Sequence, residues 1–388
     1  MFLIKLKTHP FFSLGFRSMF FFAALSAFIM PALWVSFYTG KTAFPGGIFS
    51  PMDWHGFEMY SGFASALVAG FLLTASANWS GSPAVSGYPL FFLSLFWLLE
   101  RIIFLIPHLP YPVYVISSLP FPLLFLVILT IQLKTNTKNR NIFLPWLILF
   151  FFAKFLYIYS GIYKDAFRLL FAKELFVSSL RIIIVVITGR IIPFFMEKRI
   201  GFRPKVPLLL EYGSIISVSF LIFANITVLP AFTEAILYLF AVLMNSIRFF
   251  YWRPLKTIKV PILLILHIGY LWLILHLLLS FYGKAFQNPG PVTLHFFSTG
   301  ALGTFAIGMM TRVALGHSGR IIHADKWILF MYACVQIGAI LRTIIPLFFN
   351  EIYFKSLHYS SGFWTLAFMI YLIRFTPILY KKRMDAES

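Results

Sequence analysis

The feature that most constrains this chain is the recurrence, along its whole length, of predominantly apolar runs of about 20 residues. Inside a bilayer every backbone N–H and C=O must find its partner within the chain, which leaves helices and closed barrels as the only spanning structures. A run of about 20 residues matches a helix that crosses roughly 30 Å of hydrocarbon. The pattern therefore predicts an all-α protein that crosses the bilayer many times.

Twelve runs are long enough to be spanning helices, and no linker between them suggests a separate soluble domain. We expect a polytopic transmembrane helix bundle in a single integral membrane domain, residues 1–388. The helices are predicted near residues 16–38, 56–76, 89–107, 113–133, 142–159, 172–193, 206–228, 231–250, 260–282, 293–315, 327–349 and 361–380.

The composition excludes a water-soluble fold. Only 11% of the residues are charged and 60% are hydrophobic, whereas a soluble domain carries about 25% charged residues. A net charge of +20 would suit nucleic acid if the basic residues formed one surface, but they lie in short stretches between the apolar runs. We therefore expect the lipid bilayer, and no nucleic acid, as the partner.

The distribution of basic residues also predicts an orientation. If the N-terminus lies inside, 18 Lys and Arg residues fall in the inner loops and tails and 6 fall in the outer loops. Inner loops of bacterial membrane proteins carry such an excess of positive charge. The chain is thus predicted to be a multi-pass protein of the bacterial cytoplasmic (inner) membrane, with both termini in the cytoplasm.

A weak internal repeat relates the second and tenth predicted helices. At a constant offset of 238 residues, Ser61 and Gly62 align with Thr299 and Gly300, and Gly70 aligns with Gly308. The glycines also suit ordinary close packing of helices in lipid. An internal duplication of the chain is therefore a hypothesis, with helix packing as the alternative.

Ionisable side chains inside a membrane are costly and mark functional sites, and the histidines are the most informative of them here. His55 opens the second helix, and Glu58 follows at i+3 on the same helical face. Imidazole binds haem iron and copper, and a neighbouring carboxylate orients the ring. The alternative for this pair is capping of the helix end.

Further histidines lie in the ninth and tenth helices. His267 and His276 are nine residues apart, which places them on opposite helical faces and excludes a shared site. His295 and His317 lie near the two ends of the tenth helix. The only cysteine, Cys334, lies in an apolar run, so no disulfide or Cys-based haem attachment exists within the chain.

Several arginines lie within the helices or at their boundaries, and each needs an anionic partner such as a haem propionate or a glutamate. Those considered are Arg101, Arg190, Arg312 and Arg342. Arg101 beside Glu100 equally suits a structural ion pair. No phosphate-binding loop, Ser-His-Asp order or two-histidine zinc motif occurs, so hydrolytic and nucleotide-driven chemistry lack support.

Several motifs resemble the NnrS family of bacterial membrane proteins, in the same order along nearly the whole chain. They are Trp54-His55-Gly56-Phe57-Glu58-Met59, Gly189-Arg190-Ile191-Ile192-Pro193-Phe194-Phe195, Leu266-His267-Ile268-Gly269-Tyr270 and the run from Thr299 to Arg320. The resemblance implies a twelve-helix inner-membrane protein that contains haem and copper and is linked to nitric-oxide metabolism and resistance to nitrosative stress.

The resemblance also implies the site residues. It gives as metal ligands His55, Glu58, His267, His295 and His317, and the four histidines together with Arg312 and Arg320 as cofactor-binding residues. Which of them bind haem and which bind copper stays open. The sequence departs from the family at Phe57, where a second histidine is frequent, so the outer site is expected to be altered here.

Two other functions remain open at this stage. One is a nitric-oxide reductase-like or quinol-linked oxidoreductase, since such enzymes also hold metals with histidines from several helices. Its electron donor, a quinol or another molecule, would be unknown. The other is a metal-free transporter in which interrupted helices bind a substrate near the middle of the bilayer.

Overall fold

The computed structural model describes residues 8–226, 229–286 and 292–384, and within these residues it contains helices and no strand. Its twelve principal helices are α1 Gly15–Tyr38, α2 Pro51–Ser80, α3 Tyr88–Ile103, α4 Tyr111–Gln132, α5 Thr137–Tyr163, α6 Ala166–Ile200, α7 Leu208–Ile226, α8 Ala231–Tyr251, α9 Pro261–Phe286, α10 Val292–His317, α11 Lys326–Phe348 and α12 Tyr353–Tyr380. The predicted all-α multi-pass architecture is confirmed.

Ten of these helices are long and apolar enough to cross a membrane. Of the other two, α3 has 16 residues, and α7 contains the shorter apolar stretch Leu208–Phe223. The helix α3 ends at Ile103, four residues before its predicted end. A cluster of prolines, Pro107, Pro110 and Pro112, follows it, and proline lacks the N–H that a continuing helix needs. The predicted end of the seventh helix, at residue 228, lies outside the described residues.

Two helices differ from their predicted course for identifiable reasons. Helix α4 is interrupted between Ser118 and Pro120, because Pro120 cannot donate a backbone hydrogen bond inside a helix. Helix α12 begins at Tyr353, eight residues before the predicted start. Its first two turns contain Lys355 and His358, which lower the hydropathy on which the prediction depended.

Two helices contain a wider, π-helical stretch, Glu58–Ala64 in α2 and Phe296–Leu302 in α10. These stretches are 238 residues apart, as are the starts of the following helices α3 and α11, at Tyr88 and Lys326. That spacing is the offset of the sequence repeat. The π-helical stretches and the helix starts were not used to align the sequence repeat, so their equal spacing is independent support for the duplication.

The described residues fall into two compact units. The first comprises Met1–Phe176, Val313–Ile321 and Phe368–Ser388, and the second comprises Val177–Arg312 and Ile322–Ala367. The first unit contains α1–α5, the second contains α7–α9 and α11, and the other helices contribute to both. Whether the chain acts as the single domain that the sequence predicts stays a prediction.

Small residues set the helix packing inside each unit. In the first unit a methyl group on Gly70 would lie 2.7 Å from the Phe20 ring of α1. In the second unit a methyl group on Gly308 would lie 2.9 Å from Ile265 of α9. Both aligned glycines thus allow the backbone of their helix to lie close to the preceding helix.

The first and last helices meet within the first unit. The Arg17 Nη1 donates to the backbone carbonyls of Ile378, Leu379 and Lys381, over 3.3, 2.9 and 2.6 Å. Carbonyls at the end of a helix have no partner within it. A guanidinium at the start of α1 therefore caps the end of α12.

The protein's surface is apolar and its interior holds charges, as expected when the solvent is lipid. Phe167, Leu209 and Leu255 are each about four-fifths exposed, at 80%, 81% and 80%. Glu58 and Arg181 are 0% and 1% exposed. The charged side chains in the interior are therefore the candidates for a functional site.

Candidate functional site

Four ionised side chains form a buried network in the first unit. Arg101 lies 2.9 Å from Glu58 and 2.9 Å from Glu100, and Lys154 lies 2.7 Å from Glu100. No member has a side chain more than 3% exposed. Two carboxylates and two cations leave the network without net charge, which offsets part of the cost of taking them out of water.

The π-helical stretch of α2 shapes this network. Its Ser61 hydroxyl receives a hydrogen bond from the Arg101 Nη2 at 3.3 Å, and its Gly62 carbonyl receives one from the Trp97 indole at 3.0 Å. A methyl group on Gly62 would lie 3.1 Å from the Glu58 Oε2 and 3.2 Å from the Arg101 Nη1. A methyl group at position 62 would therefore force the Glu58 and Arg101 side chains to shift by a few tenths of an ångström.

His55 lies one turn before the network. Its ring stacks on the Trp34 indole, with centroids 4.2 Å apart and planes inclined by 21°. The Glu58 Oε2, which the sequence suggested would orient the imidazole, is bound by Arg101 instead. The roles of His55 and Glu58 as metal ligands stay predictions.

Phe57, the position at which the resemblance leads us to expect an altered outer site, is fully buried. Its ring centroid lies 4.4 Å from that of Phe104 and 5.0 Å from that of Phe49. The Arg101 guanidinium carbon lies 5.2 Å from the Phe57 ring centre. An aromatic side chain here forms an apolar wall against the charged network.

His267, in the second unit, has the arrangement of an oriented ligand. The Nδ1 lies 3.2 Å from the Leu263 carbonyl and 3.4 Å from the Thr257 hydroxyl oxygen, whose own proton is donated to Pro254. A carbonyl can only accept, so Nδ1 carries the proton and Nε2 the lone pair. The ring is 2% exposed, and its Nε2 has no hydrogen-bond partner among the described residues.

Two other histidines of the second unit are engaged by arginines. The Arg342 Nη2 donates to the His295 Nε2 at 2.9 Å, and the Ser298 hydroxyl lies 3.4 Å from its Nδ1. His276 lies near Arg181, with 3.3 Å between Nη1 and Nε2. His295 would have to exchange its arginine contact for a metal if Nε2 were the ligand atom.

A second buried network surrounds Arg248. Its Nη2 lies 2.8 Å from Glu211, and its Nη1 donates to the Val185 carbonyl at 3.1 Å and to the Tyr270 hydroxyl at 3.3 Å. The Tyr270 hydroxyl donates onward to Asn245 at 2.5 Å. Because Tyr270 follows His267 by three residues on one helical face, the network and the histidine share one side of α9.

Arg312, on α10, is 6% exposed, and its Nε and Nη1 have no hydrogen-bond partner in the described part of the chain. The guanidinium carbon lies 3.7 Å above the centre of the Phe195 ring. Arg199 and Tyr332 are near enough to act on it electrostatically, and neither is a carboxylate that would neutralise it. The arrangement suits an anionic group bound from outside the chain.

His317 and Arg320 lie in the first unit, at the end of α10 and just beyond it. The His317 ring centroid lies 5.7 Å from that of Phe16. Arg17 and Arg383 act on His317 electrostatically, and Arg320 acts on Arg17. This end of the unit is thus rich in cations, which suits a ligand that carries negative charge.

The residues that the sequence selected do not form one centre. Within residues 8–226, 229–286 and 292–384 no three His, Cys, Asp or Glu side chains are grouped so as to hold a metal ion. His55, Glu58 and His317 belong to the first unit, and His267 and His295 belong to the second. The His267 ring of the second unit presents a buried Nε2 that has no hydrogen-bond partner in that unit's described residues.

Sequence reasoning missed several buried ionisable residues, among them Arg17, Lys154, Arg181 and Arg248. Each stands alone in an apolar run, which is a usable signal because an isolated charge inside a membrane is rarely tolerated without a role. Apart from Ser178, which lies three residues before Arg181, their partners lie tens of residues or more away in the sequence, and no local pattern links them. The predicted pair of Arg101 with Glu100 is confirmed.

Comparison with known families identifies the family of the chain. The model of the family described as NnrS protein matches residues 10–383, nearly the whole chain. The chain belongs to the NnrS family. No curated protein matched the sequence. All the site residues discussed above, from His55 to Arg320, lie within the part matched to NnrS, and membership suggests a membrane protein connected with nitric oxide.

Proposed function

We propose that this NnrS-family protein binds haem and copper in the bacterial inner membrane, with both termini in the cytoplasm, and that it acts in nitric-oxide metabolism and protects the cell from nitrosative stress. Family membership supports the link to nitric oxide. The single structural observation that carries the proposal is the His267 Nε2, a buried lone pair with no hydrogen-bond partner in the described residues.

Two residues of the second unit would hold a haem, His267 through its imidazole and Arg312 through its guanidinium. The Leu263 carbonyl fixes the tautomer of His267, as second-sphere acceptors do for metal-bound imidazoles. The rings of Phe249 and Trp252, with centroids 6.2 and 6.3 Å from that of His267, exclude water from it. Arg312 offers free N–H groups to a propionate.

Bound haem iron or copper would supply a soft, low-valent centre to which nitric oxide coordinates. The chain's own residues orient the imidazole of His267, keep its Nε2 unprotonated and hold anionic groups. The further ligands proposed are His55, Glu58, His295 and His317, and Arg320 is proposed as a second partner for a propionate. Nothing in this proposal requires turnover of a substrate.

The test is optical and elemental analysis of the purified protein. We expect a Soret band in the wild type and its loss in His267→Ala, with copper content measured in parallel for His55→Ala, His295→Ala and His317→Ala. His358→Ala is the control, since that ring bonds only locally to the Phe354 carbonyl at 2.7 Å. Full haem content in His267→Ala would contradict the proposal.

One observation favours a second candidate, a metal-free transporter. The two π-helical interruptions lie at equivalent positions of a repeat, and transporters place substrate sites at such interrupted helices. Purified wild-type protein with no Soret band and no copper would favour this function. A quinol-linked oxidoreductase has no comparable support from the geometry.

A further inference from the structure

Arg181 is a buried cation to which no role has been given so far. It lies near the middle of the stretch 172–193 that is predicted to cross the membrane, and it is 1% exposed. A charge at that depth is among the costliest arrangements in a membrane protein, and it marks a binding site or a pathway unless a partner neutralises it.

Within the described part of the chain, the hydrogen bonds of Arg181 reach only neutral groups. Its Nη2 donates to the Ser178 hydroxyl at 3.1 Å, and its Nη1 lies 3.3 Å from the His276 Nε2. The His276 Nδ1 lies 3.0 Å from the Thr293 carbonyl. Since a guanidinium and a carbonyl have fixed roles, His276 donates from Nδ1, accepts at Nε2 and is therefore uncharged.

The charge of Arg181 is thus uncompensated within the second unit. Its Nε is buried and has no hydrogen-bond partner in the described residues, and no carboxylate there forms an ion pair with it. Arg248 of the same unit, by contrast, pairs with Glu211 at 2.8 Å. A buried ion without a counter-ion is strongly unfavourable.

Of the five N–H groups of the guanidinium, two are accounted for by Ser178 and His276. The Nε–H and an Nη N–H on the same edge form a planar fork that matches two oxygens of one anion. We propose that Arg181 binds a small, planar, monovalent oxyanion of the nitrite or nitrate type, which supplies the missing negative charge.

His276 and Ser178 are positioning residues in this site, because they hold the guanidinium rather than the anion. The site is separate from His267 and its network, since His276 lies on the opposite face of α9. Binding of the anion does not depend on haem or copper. The proposal therefore survives if the metal proposal fails, and the two tests are independent.

The experiment measures thermal unfolding of the purified full chain in a buffer whose only anion is gluconate. Sodium nitrite, sodium nitrate or sodium chloride is then titrated in at constant ionic strength. We expect the wild-type midpoint to rise and to saturate with nitrite and nitrate, because a ligand that binds only the native state stabilises it. Equilibrium dialysis should find one bound oxyanion per chain.

Arg181→Met removes the charge and should abolish the rise. In gluconate alone this variant should unfold at the wild-type temperature or above it, because it no longer buries an unneutralised charge. Arg181→Lys keeps the charge without the fork and should respond less than the wild type. Arg203→Met is the control, since Arg203 is exposed and pairs with Glu197 at 3.1 Å, and it should respond as the wild type does.

Three results would overturn the proposal. The first is a wild type with no saturable response. The second is a response to chloride equal to the response to nitrate, which would exclude recognition by the fork. The third is an Arg181→Met variant that is less stable than the wild type by the same amount at every anion concentration, since Arg181 would then act only as a structural donor. If that variant does not fold, dialysis of the wild type and Arg181→Lys decides.

Discussion

Position 189 shows how one missing methyl group shapes the interior of the second unit. A Cβ on Gly189 would fall on the Arg248 guanidinium, 2.9 Å from its Cζ, and 2.8 Å from the Glu211 Oε2. Because the glycine of the Gly189-Arg190 motif has no side chain, the Arg248 and Glu211 side chains can pair beside it.

Gly189→Ala should break this ion pair, because the methyl group would occupy the position of the Arg248 guanidinium, which is fully buried. Separating a buried pair costs about 3–5 kcal/mol. We expect a loss of that order, measured as the thermal unfolding midpoint in detergent. Gly362→Ala is the matched control, since nothing lies within 4 Å of a methyl group there. Equal midpoints for the two variants would show that the pair contributes little.

At the scale of residues, the sequence predicts which side chains matter better than it predicts their partners. Glu58 and Arg101 were both selected from the sequence, and they pair. Lys154 was not selected, although it completes the same network, because 53 residues separate it from Arg101. The tautomer of His267 depends on the Leu263 carbonyl one turn earlier in α9 and on Thr257, whose role appears only after α9 packs on the preceding turn.

At the scale of helices, hydropathy predicts the order and the approximate positions of the elements, but it does not predict the π-helical stretches. Such a stretch places an additional residue in a helix and leaves no local composition signal. In α2 it begins with Glu58 and ends just before Ser65. The sequence repeat, with its offset of 238 residues, indicated that α2 and α10 are related. It did not indicate that each contains a π-helical stretch.

Deleting Met59 should convert this stretch into regular helix. The part of α2 before the deletion would then rotate by about 100° relative to the part after it. Glu58 would leave Arg101, and we expect a lower unfolding midpoint for this reason. Deleting Lys205, an exposed loop residue, is the control for loss of one residue. Equal midpoints would mean that the π-helical stretch does not position Glu58.

At the scale of the whole molecule, the number of crossings and the orientation are separate questions. The helices are described by the structure, whereas the orientation rests on the distribution of Lys and Arg. The orientation can be tested by labelling introduced cysteines, because the only native cysteine, Cys334, is 1% exposed.

Lys41→Cys and Lys138→Cys place single exposed thiols in loops predicted to lie outside and inside. In intact cells a membrane-impermeant maleimide should label Cys at position 41 and should label position 138 only after permeabilisation. The wild type, with its buried thiol, measures the background. Labelling of position 138 in intact cells would show that the orientation is opposite to the predicted one.

The cap that Arg17 forms on the last helix determines whether the chain crosses the bilayer an even or an odd number of times. A guanidinium reaches only a few ångströms, so the start of α1 and the end of α12 must emerge on one side of the bilayer. A polypeptide that leaves a membrane on the side from which it entered has crossed it an even number of times. Eleven or thirteen passages are therefore ruled out by three hydrogen bonds from a single side chain.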